Sequence, residues 1–88
     1  MIPSVVQVEP HEDYTVTVLF ADGKSVLYDA SSIVGKGVFS SLEDISVFMD
    51  RCVVLNDTLA WDISGDYNPT TCLDIDPVTI YEEGNEII

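Results

Sequence analysis

The sequence predicts an α+β domain in which a small antiparallel sheet, built from hairpins, packs against one short helix. Residues 14–20 alternate apolar and polar side chains, as half-buried strands do, and the Asp22-Gly23 pair that follows is typical of a hairpin turn. An apolar stripe at helical spacing predicts a helix that packs on the sheet: Leu42, Ile45, Phe48 and Met49. With 88 residues there is room for one domain, assigned to residues 2–81, before an acidic C-terminal tail at residues 82–88.

The register of the first hairpin follows from the length of its turn. A loop of three residues pairs Val18 with Val26, and it also sets Val16 opposite Tyr28. This pairing places all four side chains on one apolar face, whereas a two-residue loop would oppose apolar and polar positions. We therefore predict the three-residue loop, with Gly23 in the left-handed conformation that glycine adopts most readily.

The later elements are shorter. Ser41 is expected to cap the helix, with Asp44 three residues further on as in a capping box. Residues 52–61 predict a second hairpin, and residues 77–81 predict a short terminal turn that begins at a proline. The predicted core lies on one side of the sheet and contains Val16, Val18, Phe20, Val26, Tyr28, Ile45, Phe48 and Trp61.

Composition limits the classes of protein that the chain can represent. The hydrophobic fraction of 47% is too high for a disordered acidic tail, although the net charge is −13. No transmembrane run and no signal peptide are evident, so a cytoplasmic protein is expected. The two cysteines, Cys52 and Cys72, lack a metal-ligand spacing and are interpreted as buried apolar residues.

The charge is distributed unevenly along the chain. Lys24, Lys36 and Arg51 are the only lysines and arginines, so every charged residue after Arg51 is acidic. Such a surface repels nucleic acid and anionic membranes and attracts basic proteins, although it could also serve solubility alone. A basic protein partner is predicted. The residues predicted to bind it are Tyr67, Tyr81, Glu82, Glu83 and Glu86.

A loop late in the chain carries four aspartates: Asp62, Asp66, Asp74 and Asp76. Counted as a calcium-binding EF-hand loop from Asp62, its sixth position is Tyr67 instead of glycine, and its twelfth is Leu73 instead of glutamate. The loop is therefore not an EF-hand. Its aspartates are expected to accept hydrogen bonds from the backbone of their own turns, and Asp76 is expected to cap a helix that starts at Pro77. Weak binding of calcium or magnesium by the four aspartates is the alternative.

The sequence offers little for catalysis. His11, the single histidine, lies in a polar turn where it is expected to be exposed. No nucleophile elbow, phosphate-binding glycine loop, zinc-binding pair or cysteine–histidine pattern is present. We therefore predict no enzyme activity, no catalytic residue and no cofactor.

Several features occur together along the chain: Phe20, Asp22 and Gly23; Asp29 and Ile33; Val38, Phe39 and Leu42; and Trp61. With this combination the chain resembles the small bacterial family known as domain of unknown function 2442, over about residues 3–82. The resemblance implies a small α+β fold with an antiparallel sheet. It also implies an antitoxin-like or accessory role beside a neighbouring small protein. Some members carry a helix-turn-helix, which this chain is expected to lack, so direct DNA binding is not predicted.

Overall fold

The computed structural model of the protein describes residues 3–34, 37–63 and 73–87. Along the chain its elements are β1 (Val5–Pro10), β2 (Thr15–Phe20), β3 (Ser25–Asp29), a 3-10 helix (Gly37–Glu43), α1 (Ile45–Asp50), β4 (Cys52–Leu55), β5 (Thr58–Trp61), β6 (Leu73–Asp74), α2 (Pro77–Glu83) and β7 (Asn85–Ile87). The predicted α+β class is confirmed.

The described strands form two antiparallel sheets instead of one. The first sheet has the order β1-β2-β3-β7, and the second has the order β4-β5-β6. The sheets meet where β1 lies beside β4 and β5, and the amide of Val5 donates to the carbonyl of Asp57 over 2.8 Å. Alternation of side chains predicts strands but does not show which strands share hydrogen bonds, so the division into two sheets was not predictable.

The first hairpin has the predicted register. Val18 lies opposite Val26, and the pairing continues with Val16 opposite Tyr28. Gly23 has a φ of 92°, as the three-residue loop requires. The second hairpin is also confirmed, since β4 and β5 pair around a tight turn.

Gly23→Val is expected to lower the free energy of unfolding by about 1–2 kcal/mol, because a side chain in this left-handed conformation is strained. A Cβ atom at Gly23 would have no neighbour within 4 Å, so the loss would come from the backbone alone. Urea denaturation measures it, and Gly23→Asn is the matched control, since asparagine tolerates positive φ better. A wild-type midpoint for the valine variant would contradict the three-residue loop.

The predicted core residues belong to one cluster, which draws on both sheets instead of one side of a single sheet. Six of the predicted residues are buried, and Tyr28 and Ile45 are half-buried against them. Trp61 has no exposed surface, and its indole Nε1 donates to the carbonyl of Phe48 over 3.2 Å. This bond joins α1 to the second sheet and satisfies the one polar group of the tryptophan.

The start of helix α1 differs from the prediction. Ser41 does not cap it; the chain forms the 3-10 helix first, and Asp44 is the cap residue. The Asp44 carboxylate accepts a hydrogen bond from the amide of Ser46 over 3.0 Å. Aspartate caps as well as serine does, and the later start keeps Leu42 buried in the 3-10 turn while Phe48 faces the core.

The predicted turn at residues 77–81 is the start of helix α2. Asp76 caps it as expected, because its carboxylate accepts from the amide of Val78 over 2.9 Å. Ile80 is the buried residue of this helix, and Glu82 and Glu83 are exposed in its last turn.

The acidic C-terminal segment is therefore part of the fold and not a tail. After α2, Gly84 ends the helix and β7 pairs antiparallel with β3, with Ile87 opposite Ser25. This pairing satisfies backbone groups at an edge of β3 that would otherwise face solvent. The three residues of β7 are all exposed and do not alternate between apolar and polar, so no sequence pattern indicated a strand there.

Candidate functional site

A cleft of about 370 Å³ lies between α2, the β2–β3 turn and the N-terminal segment. Its lining residues are Pro3, Ser4, Ala21, Asp22, Val78, Tyr81 and Glu82. Most of the wall is apolar, and Val78 is 37% exposed in it. The two charged lining residues, Asp22 and Glu82, are both acidic and both exposed. The cleft therefore combines an apolar wall with negative charge.

Tyr81 forms the fixed wall of this cleft. Its hydroxyl donates to Asp22 Oδ2 over 2.7 Å, and its ring meets the ring of Phe20 edge-on with centroids 4.9 Å apart. The Lys24 ammonium lies 3.9 Å from the centre of the Tyr81 ring and donates to the Tyr81 carbonyl over 3.0 Å. Tyr81, which was predicted to bind a partner, is thus half-buried and held by contacts within the chain.

Asp22 links the turn to the helix. One carboxylate oxygen accepts from the amide of Lys24 over 2.9 Å, and the other accepts from the Tyr81 hydroxyl. The hydrogen bond from Tyr81 is the main reason that the pKa of Asp22 lies below its ordinary value of 3.8, and the Lys24 amide adds to it. At neutral pH the carboxylate is therefore ionised and positioned.

Tyr81→Phe is expected to raise the pKa of Asp22 towards its ordinary value, because it removes the largest cause of the shift. A depressed pKa stabilises the folded protein above the ordinary pKa, and this stabilisation is lost as the pH falls through the lower folded-state value. The variant should therefore show a weaker loss of stability with acidification below about pH 4. An NMR titration of the Asp22 carboxyl carbon measures the shift.

Tyr28→Phe is the control for this titration, since Tyr28 does not contribute to the Asp22 shift. An unchanged Asp22 pKa in Tyr81→Phe would show that the hydroxyl does not donate to this carboxylate in solution.

The other predicted partner-binding residues occupy the same end of the chain. Glu82, Glu83 and Glu86 are exposed, on α2 and β7, and of these only Glu82 lines the cleft. Tyr67 lies outside the described residues.

Of the four aspartates predicted as alternative cation ligands, the three in the described part of the chain do not form a group that could hold a metal ion. Asp62 is buried at the end of β5, Asp74 is exposed on β6, and the carboxylate of Asp76 caps α2. Asp66 falls outside the described residues. Within residues 3–34, 37–63 and 73–87, no three histidine, cysteine or acidic side chains are placed to hold a metal ion.

The histidine and the described cysteine are both partly buried. His11 Nε2 lies 2.7 Å from the Thr17 hydroxyl. The His11 side chain is 36% exposed, so it is partly buried, whereas the sequence predicted an exposed side chain. Burial raises the pKa of the Cys52 thiol to about 12, so it stays protonated at neutral pH. Cys72 is outside the described residues.

Sequence reasoning missed most of the cleft. Pro3, Ala21 and Val78 come from three distant segments, and each is unremarkable in its own local pattern. Of the lining residues, only Tyr81 and Glu82 were predicted to bind a partner, and Asp22 was interpreted only as a turn residue.

Fold and cleft define a small, strongly acidic α+β domain with a largely apolar cleft. The model of the family described as "Protein of unknown function (DUF2442)" matches residues 5–86. The chain belongs to this family, as the resemblance of its sequence indicated. No curated protein and no solved structure matches it significantly. In the described ranges no helix has the length and apolarity needed to cross a membrane.

Proposed function

We propose that the protein is a non-catalytic interaction module that binds a basic partner protein, in an antitoxin-like or accessory role. The observation that carries this proposal is the apolar cleft whose charged lining residues are both acidic, on a chain of net charge −13.

The acidic surface has little internal compensation. The chain has 16 acidic residues against three lysines and arginines. Among the described residues, Asp62 aside, no carboxylate forms an ion pair with a lysine or arginine, and Lys24 is held against Tyr81. Self-repulsion of this kind destabilises a compact protein, and a basic surface would relieve it.

The cleft and the charges would contribute differently to binding. Complementary charge mainly accelerates association and selects the partner, whereas desolvated apolar contacts supply most of the affinity. Val78 and the wall formed by Tyr81 are the apolar contacts available beside Glu82. These roles are compatible at one site because the apolar and acidic residues line the same cleft.

The surroundings of the reactive side chains support a non-catalytic role. His11 bonds Thr17 next to the turn between β1 and β2, and Cys52 is a protonated, largely buried thiol. Neither residue lines the cleft, so neither the described imidazole nor the described thiol is available for catalysis there.

Affinity purification from the native cells at low salt, with the full chain as bait, tests the proposal. We expect a basic protein, such as the product of an adjacent gene, that elutes as the salt rises to physiological strength. Its binding to the purified chain should weaken when Glu82, Glu83 and Glu86 are all changed to glutamine.

The control is a triple variant that loses the same charge at exposed positions outside α2 and β7. Its changes are Glu12→Gln in the β1–β2 turn, Glu43→Gln at the end of the 3-10 helix and Asp50→Asn at the end of α1. A bound protein that is indifferent to salt, or that responds equally to both triple variants, would contradict the proposal.

A further inference from the structure

At the end of the molecule that holds the cleft, one positively charged side chain of the protein itself, Lys24, is already held in place. The Lys24 ammonium lies over the ring of Tyr81 and donates to its carbonyl in the last turn of α2. The carbonyl end of a helix carries partial negative charge, and Asp22 and Glu82 add two full charges. The electrostatics at this end therefore favour a second positive group from outside the chain.

The walls of the cleft favour a particular kind of positive group. Pro3, Ala21 and Val78 offer apolar surface, which suits a long aliphatic stem better than a compact ion. At about 370 Å³ the cleft is within the size range of sites that enclose small ligands. A side chain with an apolar stem and a cationic head matches both features.

We infer that the cleft holds an arginine side chain of the basic partner, an assignment that rests on the proposed function. The stem packs between Val78 and Ala21, and the guanidinium donates to Asp22 and Glu82. Arginine fits better than lysine, because its planar group can donate to two carboxylates and is less strongly hydrated. Asp22 can accept a further bond, since a carboxylate has about four acceptor positions and its described bonds use two.

A matched pair of residues separates this site from general charge attraction. Glu82 and Glu83 are neighbours, both exposed in the last turn of α2, but only Glu82 lines the cleft. If only general charge attraction acts, neutralising Glu82 or Glu83 should weaken binding equally. If a guanidinium is bound in the cleft, neutralising Glu82 should weaken binding more. Val78 and Val6 form a similar pair, since both are exposed valines and only Val78 lines the cleft.

The test is an NMR titration of the full chain with N-acetyl-arginine amide, followed through the backbone amides. We expect saturable shifts at Ala21, Val78 and Glu82, and none with the neutral citrulline analogue. N-acetyl-lysine amide should bind more weakly. Glu82→Gln should weaken arginine binding about two- to fivefold, the range of an exposed ion pair, and Glu83→Gln should leave it unchanged. Val78→Ala should weaken it, with Val6→Ala as the control.

Three results would overturn the inference: shifts spread over all the acidic residues, equal effects of Glu82→Gln and Glu83→Gln, or lysine binding as tightly as arginine. These results would leave the proposed function standing if the partner still binds in a salt-dependent manner. Conversely, a partner that is indifferent to salt would defeat the proposed function whatever the titration shows.

Discussion

Phe48→Ala is expected to lower the free energy of unfolding by about 3–5 kcal/mol, the range for deleting a fully buried aromatic side chain. Phe48 has no exposed surface. The centre of its ring lies 5.3 Å from the centre of the Tyr14 ring and 5.4 Å from the centre of the Trp61 ring. The deletion would leave a cavity where α1 meets both sheets. The surrounding rings belong to separate segments, the β1–β2 turn and β5, so they cannot close together without shifting the backbone.

Urea denaturation followed by Trp61 fluorescence measures this loss. Ser46→Ala is the control on the same helix, since Ser46 is exposed and its change should have little effect. A loss below about 1 kcal/mol for Phe48→Ala would show that the helix does not pack in the core.

Gly84→Ala is expected to destabilise the protein by about 1–3 kcal/mol through overpacking. A Cβ atom at this position would lie 2.8 Å from the carbonyl oxygen of Ile80 and 2.8 Å from two side-chain atoms of Val26. Real Cβ atoms do not approach so closely, so α2 and β7 would have to move away from β3. Because Val26 is a buried β-branched residue in the middle of the sheet, it cannot easily yield.

Hydrogen exchange would show where the Gly84→Ala variant is altered. The amides of Ser25 and Leu27, which lie opposite β7, should lose protection more than those of the second sheet. Glu83→Ala, one residue earlier and exposed, is the control. A wild-type urea midpoint with retained protection at Ser25 would indicate that β7 does not dock against β3 in solution.

Local rules predicted the local parts of this fold. The pairing of Val18 with Val26 was predictable because alternation fixes the two faces of a strand and the turn length fixes the register. The core prediction succeeded for the same reason: Phe48 and Trp61 are large apolar residues at positions that face inward.

The parts that depend on distant contacts were not predictable. Strand β7 forms because Gly84 lets the chain pass close to Val26, and the sequence around Gly84 does not reveal that approach. The cleft likewise depends on the packing of α2 against the β2–β3 turn, which brings Asp22 to Tyr81 across 59 positions of sequence. Ser41 and Asp44 were both suitable caps, and tertiary packing selected the second.

The folding of the acidic segment has a consequence for binding. Glu82 and Glu83 lie on a helix and Glu86 lies on a paired strand, so their backbone positions are fixed before a partner arrives. A preorganised charged surface loses less conformational entropy on binding than a disordered tail would. This difference favours a specific complex over loose electrostatic attraction.

The dependence of the association rate on salt tests the central claim most directly. Stopped-flow measurements with the purified partner would compare the wild type with the Glu82→Gln, Glu83→Gln, Glu86→Gln variant across ionic strength. The Debye length falls to about 8 Å at 0.15 M, so we predict that wild-type association slows steeply towards that salt. The triple variant should associate more slowly at low salt and show a flatter dependence, with a smaller change in dissociation rate. Equal association rates for the two proteins at every ionic strength would contradict the claim that these acids recognise a basic partner.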